Sequence, residues 1–247
     1  MDSENDLLIE VVSPEDVDTS SLVTKSSLNP ALWENIDGKW VLKEKAKSVF
    51  DKVIRFFESQ MQVRNEPIEF DTVILTGSNA GYNWYEGSDI DLHFRVLYSS
   101  IDDDIELVDD ILWRESTIFS LKYKLKYAGF DIECNIEDSA EEHNPSQARY
   151  DLIKGSWENE PKENDVSIDF DVIKEKCAKI MNMIDEANTK EELSLIKNKL
   201  RKYRESGINK DGEYSESNLV YKVLRRNGTL VALNDKIEEK QREKIFK

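Results

Sequence analysis

Two short runs constrain the fold of this 247-residue chain more than any other feature. "DIDLHFRV" (89–96) and "FDIECNIE" (130–137) alternate apolar and polar residues at every second position. That is the period of a β-strand, whose successive side chains point to opposite faces of a sheet. In the first run Ile90, Leu92, Phe94 and Val96 share one face, and Asp89, Asp91 and His93 the other. In the second, Phe130, Ile132, Cys134 and Ile136 lie opposite Asp131, Glu133 and Asn135. Each strand is expected to bury one face and present an acidic one. A third run, "DTVILTG" (71–77), is short, apolar and β-branched and ends in glycine, so it reads as a buried strand.

Elsewhere the period is helical. From Lys43 to Met61, Ala46, Val49, Phe50, Val53, Ile54, Phe57 and Met61 follow the i, i+3, i+4 spacing of an amphipathic helix. Residues 104–127 form a second helical stretch, with room for one break. Residues 138–168 show little periodicity, and "GSWENEPKENDVS" within them reads as loop or linker. Beyond Asp169 the pattern is helical throughout. Val172, Ile173, Ile180, Met181 and Ile184 line one helix, and Thr189 with Glu192 form a capping box opening the next. "GINKDGEYS" reads as a turn before a third helix over about 215–227, with a charged helix after it. The expected organisation is α+β: an acidic, flexible tail with a docked segment (1–26), a mixed-sheet domain with flanking helices (27–160) and a helical domain (165–247).

Composition narrows the function classes. The formal net charge of −17 argues against a wide nucleic-acid footprint, because phosphate binding draws on Lys and Arg. The balance is uneven, however: "KNKLRKYR" (197–204) and "KVLRR" (222–226) are basic, leaving room for a local anion site or for solvated helix faces. Lys222, Arg225 and Arg226 are spaced i, i+3, i+4, on one helix face. No apolar run approaches the ~20 residues of a membrane span, and "MDSENDLLIE" lacks the basic start of a signal peptide. A cytoplasmic protein without membrane partners is expected. Cys134 and Cys177 fall in or beside apolar patterns and read as buried free thiols of a reducing compartment.

The chemistry concentrates in "LTGSNAGYNWYEGSDIDLHF" (75–94). Gly77 lets backbone approach closely, and Ser78 adds a hydroxyl. If "NAGYNW" opens a short helix, its first amides make a phosphate seat. Asp89 and Asp91 stand about 7 Å apart at Cα on one strand face. Two like charges there repel unless cations lie between them, and hard oxygen donors suit Mg²⁺ or Mn²⁺. An edge strand with a wet outer face is the plainer reading of the same two aspartates. Asp131 and Glu133 are both candidates for a third acid; Glu133, at the strand centre between Ile132 and Cys134, is preferred. His93 shares the aspartate face, and His143 reads as a loop residue. Tyr82, Trp84 and Tyr85 suit either base stacking or core packing.

An apolar strand, Gly77-Ser78, ten residues, then Asp89-Ile90-Asp91-Leu92 and a later strand acid resembles the DNA polymerase β-like nucleotidyltransferase superfamily. More narrowly, "LNPALW", "GFDIECNIED" and "GEYSESNLVYKVLRRNG" make nearly everything after residue 27 similar to small nucleotidyltransferase-like proteins of large tailed bacteriophages. The resemblance implies a mixed sheet carrying two Mg²⁺ or Mn²⁺ ions on Asp89, Asp91 and Glu133. It implies Gly77 and Ser78 against the β- and γ-phosphates of an NTP, with the helices, including Lys222, Arg225 and Arg226, helping to hold nucleotide or acceptor. The expected reaction is transfer of a nucleoside monophosphate to an acceptor hydroxyl with release of pyrophosphate. An RNA 3′ end is slightly favoured as acceptor over a protein or a small molecule. A catalytically idle nucleotide sensor, partner-binding or virion-associated protein on the same fold is the alternative.

Overall fold

Both alternating runs form strands in the computed structural model of the protein, which describes residues 11–63, 66–143, 147–163 and 167–245. The chain divides into two units: Thr24–Asn164, and Met1–Val23 together with Asp165–Lys247.

The first unit opens with a hairpin of β1 (Trp33–Ile36) and β2 (Lys39–Leu42), followed by α1 (Glu44–Gln60). A two-residue pair, β3 (Gln62–Val63) and β4 (Glu66–Pro67), precedes the sheet strands. These are β5 (Thr72–Thr76) and β6 (Ile90–Val96), then α2 (Ile105–Tyr123), β7 (Lys126–Tyr127) and β8 (Phe130–Asp138). The last two are β9 (Arg149–Asp151) and β10 (Ser156–Asn159). Six of them form one mixed sheet in the order β10-β9-β5-β6-β8-β7. Within it β5 and β6 run antiparallel, while β6 and β8 run parallel, the long crossover between them containing α2.

The apolar face of the sheet carries the core. Val73 and Leu75 of β5, Ile90, Leu92, Phe94 and Val96 of β6, and Ile132 and Cys134 of β8 are all buried in one cluster. α1 presents Ala46, Phe50, Val53, Ile54 and Phe57 to it, and α2 presents Val108, Leu112 and Phe119. Phe57 is the joint of these layers. Its ring lies 4.1 Å from Phe94 and 4.8 Å from Phe119, centroid to centroid.

The second unit contains α3 (Phe170–Glu186), α4 (Lys190–Asp211), α5 (Glu216–Arg226) and α6 (Thr229–Ile245). The capping box forms as expected: Thr189 Oγ1 accepts from Glu192 N at 3.2 Å, and the Glu192 carboxylate accepts from Thr189 N at 3.1 Å. Residues 11–23 belong to this unit; Val17 and Leu22 are buried with its helices, and the Asn182 amide bonds both backbone groups of Val12. Of the rest of the expected acidic tail, residues 24–26 begin the first unit and residues 1–10 lie outside the described residues. Cys134 and Cys177 are free and buried, and burial pushes both thiols up to about 12. Among the described residues no helix is long and apolar enough to cross a membrane.

Four local expectations change. The weakly periodic residues 138–168 hold β9 and β10, with β10 inside the expected linker "GSWENEPKENDVS", and the β1–β2 hairpin had no strong pattern to announce it. The helix over 104–127 ends at Tyr123, because Lys124 turns left-handed at φ 45° and the chain re-enters the sheet as β7. α4 runs through Gly207 and Ile208, where a turn was expected. Gly207 is needed there for close approach: a Cβ on it would lie 1.7 Å from Ser217 Oγ. Phe57→Ala is expected to cost about 3–5 kcal/mol, measured as the loss of unfolding free energy in urea or guanidinium titration.

Candidate functional site

Asp91 sits where three strands are in register. It lies opposite Thr76 of β5 on one side and opposite Glu133 of β8 on the other. Residues directly opposite across a ladder project from the same face, so the carboxyl groups of Asp91 and Glu133 are neighbours. Asp89, one residue before β6, continues the alternation: it is half-buried like Asp91 and His93, whereas Ser88 and Ile90 are buried. Asp131, the competing third acid, instead pairs with Lys126 across β7–β8 at 2.9 Å. That pairing favours Glu133.

Gly77 completes the geometry from the other side. Its φ of 72° and ψ of −161° turn the chain sharply off the end of β5. A Cβ on Gly77 would stand 1.9 Å from Asp91 Oδ2 and 2.9 Å from Asp91 Cγ. The Asp91 carboxylate therefore rests directly against the glycine backbone, in space that any side chain would fill.

The expected helix over "NAGYNW" is reduced to a single 3-10 turn, Ser78–Ala80. The Ser78 hydroxyl donates to Ser88 Oγ at 2.9 Å, and Ser88 Oγ also accepts from Tyr85 N at 3.0 Å. In this arrangement the turn offers an anion its backbone more than its hydroxyl.

Asn79 and Ser88, neither of them singled out from the sequence, hold the turn in place. Asn79 is fully buried; its amide donates to the carbonyls of Ser88 (3.3 Å) and Asp89 (2.7 Å) and accepts from Asn29 Nδ2 at 2.7 Å. The Trp33 indole donates to the Asn79 carbonyl at 2.8 Å. "LNPALW" is thus the outer brace of the acid strand. The only sequence signal for this was an Asn and a Ser flanking the spacer, which carries no periodicity.

The aromatic residues of the spacer are structural in this conformation. Tyr82 is buried and its hydroxyl accepts from the Trp40 indole at 2.9 Å, while the Trp84 indole donates to the Ser27 carbonyl at 2.9 Å. Tyr85 is half-buried and packs against Gly87.

Farther along the same sheet face, the cations gather around Glu137. His93 Nδ1 lies 2.8 Å from one of its oxygens, with Arg95 Nε and Arg149 Nη2 each 3.4 Å and His143 Nε2 3.7 Å from the other. Burial alone would raise the Glu137 carboxyl, but the His93 hydrogen bond and the charges of His93, Arg149 and His143 pull it down to about 2. Burial lowers His143, with the nearby arginines adding to the effect. His93 and His143 are therefore partners of one carboxylate.

Lys222, Arg225 and Arg226, expected on one open face of α5, are separated by the fold of the helical unit. Lys222 is buried and ion-paired to Glu213, and burial lowers its pKa against the opposing pull of that partner. Arg226 donates to the Ser21 carbonyl at 2.6 Å, and Arg225 is exposed. The structure does not assemble the three into a common phosphate-facing surface.

Among the described residues no three His, Cys, Asp or Glu side chains stand in metal-ligand geometry. The donor types at Asp89, Asp91 and Glu133 nevertheless fit a hard divalent ion, and Gly77 leaves the Asp91 carboxylate the room it needs. No family model matches the chain, and neither a curated protein nor a solved structure is significantly similar to it.

Gly77→Ala is expected to displace the Asp91 carboxylate and cost at least about 1–2 kcal/mol from the left-handed backbone alone, read from denaturation midpoints. Glu137 has a folded pKa of about 2 against an ordinary 4.5, so its stabilising contribution is full above 4.5 and disappears as pH falls towards 2. Stability measured across that window should fall with acid, and Glu137→Gln should flatten that part of the profile.

Proposed function

We propose that the unit spanning 24–164 is a polymerase β-like nucleotidyltransferase fold, acting as a metal-dependent enzyme. It would transfer a nucleoside monophosphate from an NTP to an acceptor hydroxyl and release pyrophosphate. One observation carries the reading: Asp91 is in strand register with Glu133, follows Asp89 by two residues, and presses its carboxylate against Gly77. Acids brought together beside a glycine turn offer a hard cation and a phosphate adjacent oxygen donors and close backbone.

Asp89, Asp91 and Glu133 would hold Mg²⁺ or Mn²⁺. When bound, two such ions neutralise phosphate charge and stabilise the attacking and leaving oxygens. The chain's own groups have separate tasks. The Gly77–Ser78 backbone would meet the β- and γ-phosphates, helped by the first amides of the turn, which lack partners inside it. Glu133, exposed beside Asp91, is placed to take the proton of an attacking hydroxyl at a carboxylate oxygen. Asn79 orients rather than reacts, because it fixes the Asp89 carbonyl. Most of the rate gain would come from positioning and charge.

RNA is the favoured acceptor class, on the exposed cations Lys197, Lys199, Arg201 and Lys202 of α4. The buried Lys222 no longer adds to that support. Incubation with labelled NTPs, Mg²⁺ or Mn²⁺ and mixed host RNA and protein should yield label transfer. Asp91→Asn should reduce it by about 10²–10³-fold or more. Glu133→Gln should abolish it while Asp131→Asn retains most of it; the reverse result would reassign the third acid. NTP binding without transfer to any acceptor would favour the idle, nucleotide-sensing alternative.

A further inference from the structure

α2 has two apolar faces, and the sheet uses only one. Val108, Leu112 and Phe119 point into the core, as described above. Leu107, Ile111, Ile118 and Leu121 remain 49%, 36%, 55% and 68% exposed. With Arg114 between them, these positions step +4, +3, +4, +3 along the helix. That is the a/d spacing of a coiled-coil seam, a stripe narrower than the face of an ordinary surface helix. At 1.5 Å per residue the seam from Leu107 to Leu121 is about 21 Å long.

Charge is distributed along the seam in a way that selects the partner. Asp103, Asp104 and Glu106 cluster at the N-terminal end of α2, and Lys122 and Lys124 at its C-terminal end. A parallel copy would set acid against acid; an antiparallel copy sets acid against base. We propose that α2 pairs antiparallel with α2 of a second copy of this chain, about a two-fold axis near Arg114 and Glu115. Ile111 then lies opposite Ile118 of the second copy, and Arg114 beside Glu115 of the second copy. Leu121 of the second copy reaches the Leu107 end of the seam. There a cavity of about 220 Å³, lined by the apolar Val63, Ile101, Leu107, Val108 and Ile111 with Gln62 and Asp102 also on its wall, provides a hole for that knob. Such an interface is isologous, each contact occurring twice, and it closes at two copies. A single helix pair is small, which fits a reversible, salt-sensitive dimer.

This pairing is independent of the nucleotidyl-transfer reading, and its test needs no substrate. Sedimentation velocity of the full chain over a concentration series should show a monomer–dimer equilibrium weakened by salt. Leu121→Glu, at a site 68% exposed, should leave the thermal transition in place and raise the dissociation constant about tenfold or more. Orientation is read by cysteine cross-linking. Arg114→Cys should cross-link to itself, and Leu107→Cys should cross-link to Leu121→Cys in a mixture, with neither of the latter pairing with its own kind. A monomer at every concentration, a dimer unaffected by Leu121→Glu, or Leu107→Cys cross-linking to itself would each overturn the proposal. So would stable capture of a different protein on α2 by a chain that stays monomeric alone.

Discussion

β6 is hydrogen-bonded on both sides, to antiparallel β5 and parallel β8, and its seven residues alternate without interruption between the core and the polar face. A one-residue slip in either ladder would drive Asp91 and His93 into the space of Leu92 and Phe94. That penalty, set by burial of the apolar side chains, is what holds the acids in position. Phe94 is clamped by Phe57 of α1, and Phe57 in turn contacts Phe119 of α2. The helices on one side of the sheet therefore determine where carboxylates stand on the other.

The polar face is divided electrostatically. At one end, Glu137 draws in His93, Arg95, Arg149 and His143, and its depressed pKa reflects first the His93 hydrogen bond and then the charges around it. At the other end, Asp89, Asp91 and Glu133 bring like charges together around a glycine turn. The first arrangement stabilises the sheet. The second is held in place by a buried frame of Asn29, Asn79, Ser88 and Trp33.

Legibility varied with how strongly local pattern and burial coincide. β6 and β8 were readable because each buries one face only, and α1 because its stripe is broad. β9 was not, since its three residues Arg149, Tyr150 and Asp151 are all buried and present no alternation. The β1–β2 hairpin escaped because most of its residues are exposed or half-exposed. Gly207 misled for a different reason: glycine reads as a chain breaker, yet here it admits the serines of the next helix against α4. Lys222 misled because helical spacing identifies a shared face without telling whether that face is wet.

The sequence by itself determined the fold class, the strand faces and the set of candidate acids, because periodicity is a local consequence of burying one side of an element. Only the tertiary structure decided that Glu133, and not Asp131, stands beside Asp91, since strand register is a long-range property. It alone decided that Gly77 touches Asp91, that Asn79 links the turn to the acid strand, and that Lys222 is buried on a pair with Glu213. It likewise exposed the second stripe of α2. Which side of an amphipathic pattern meets protein and which meets solvent depends on neighbours that are distant along the chain.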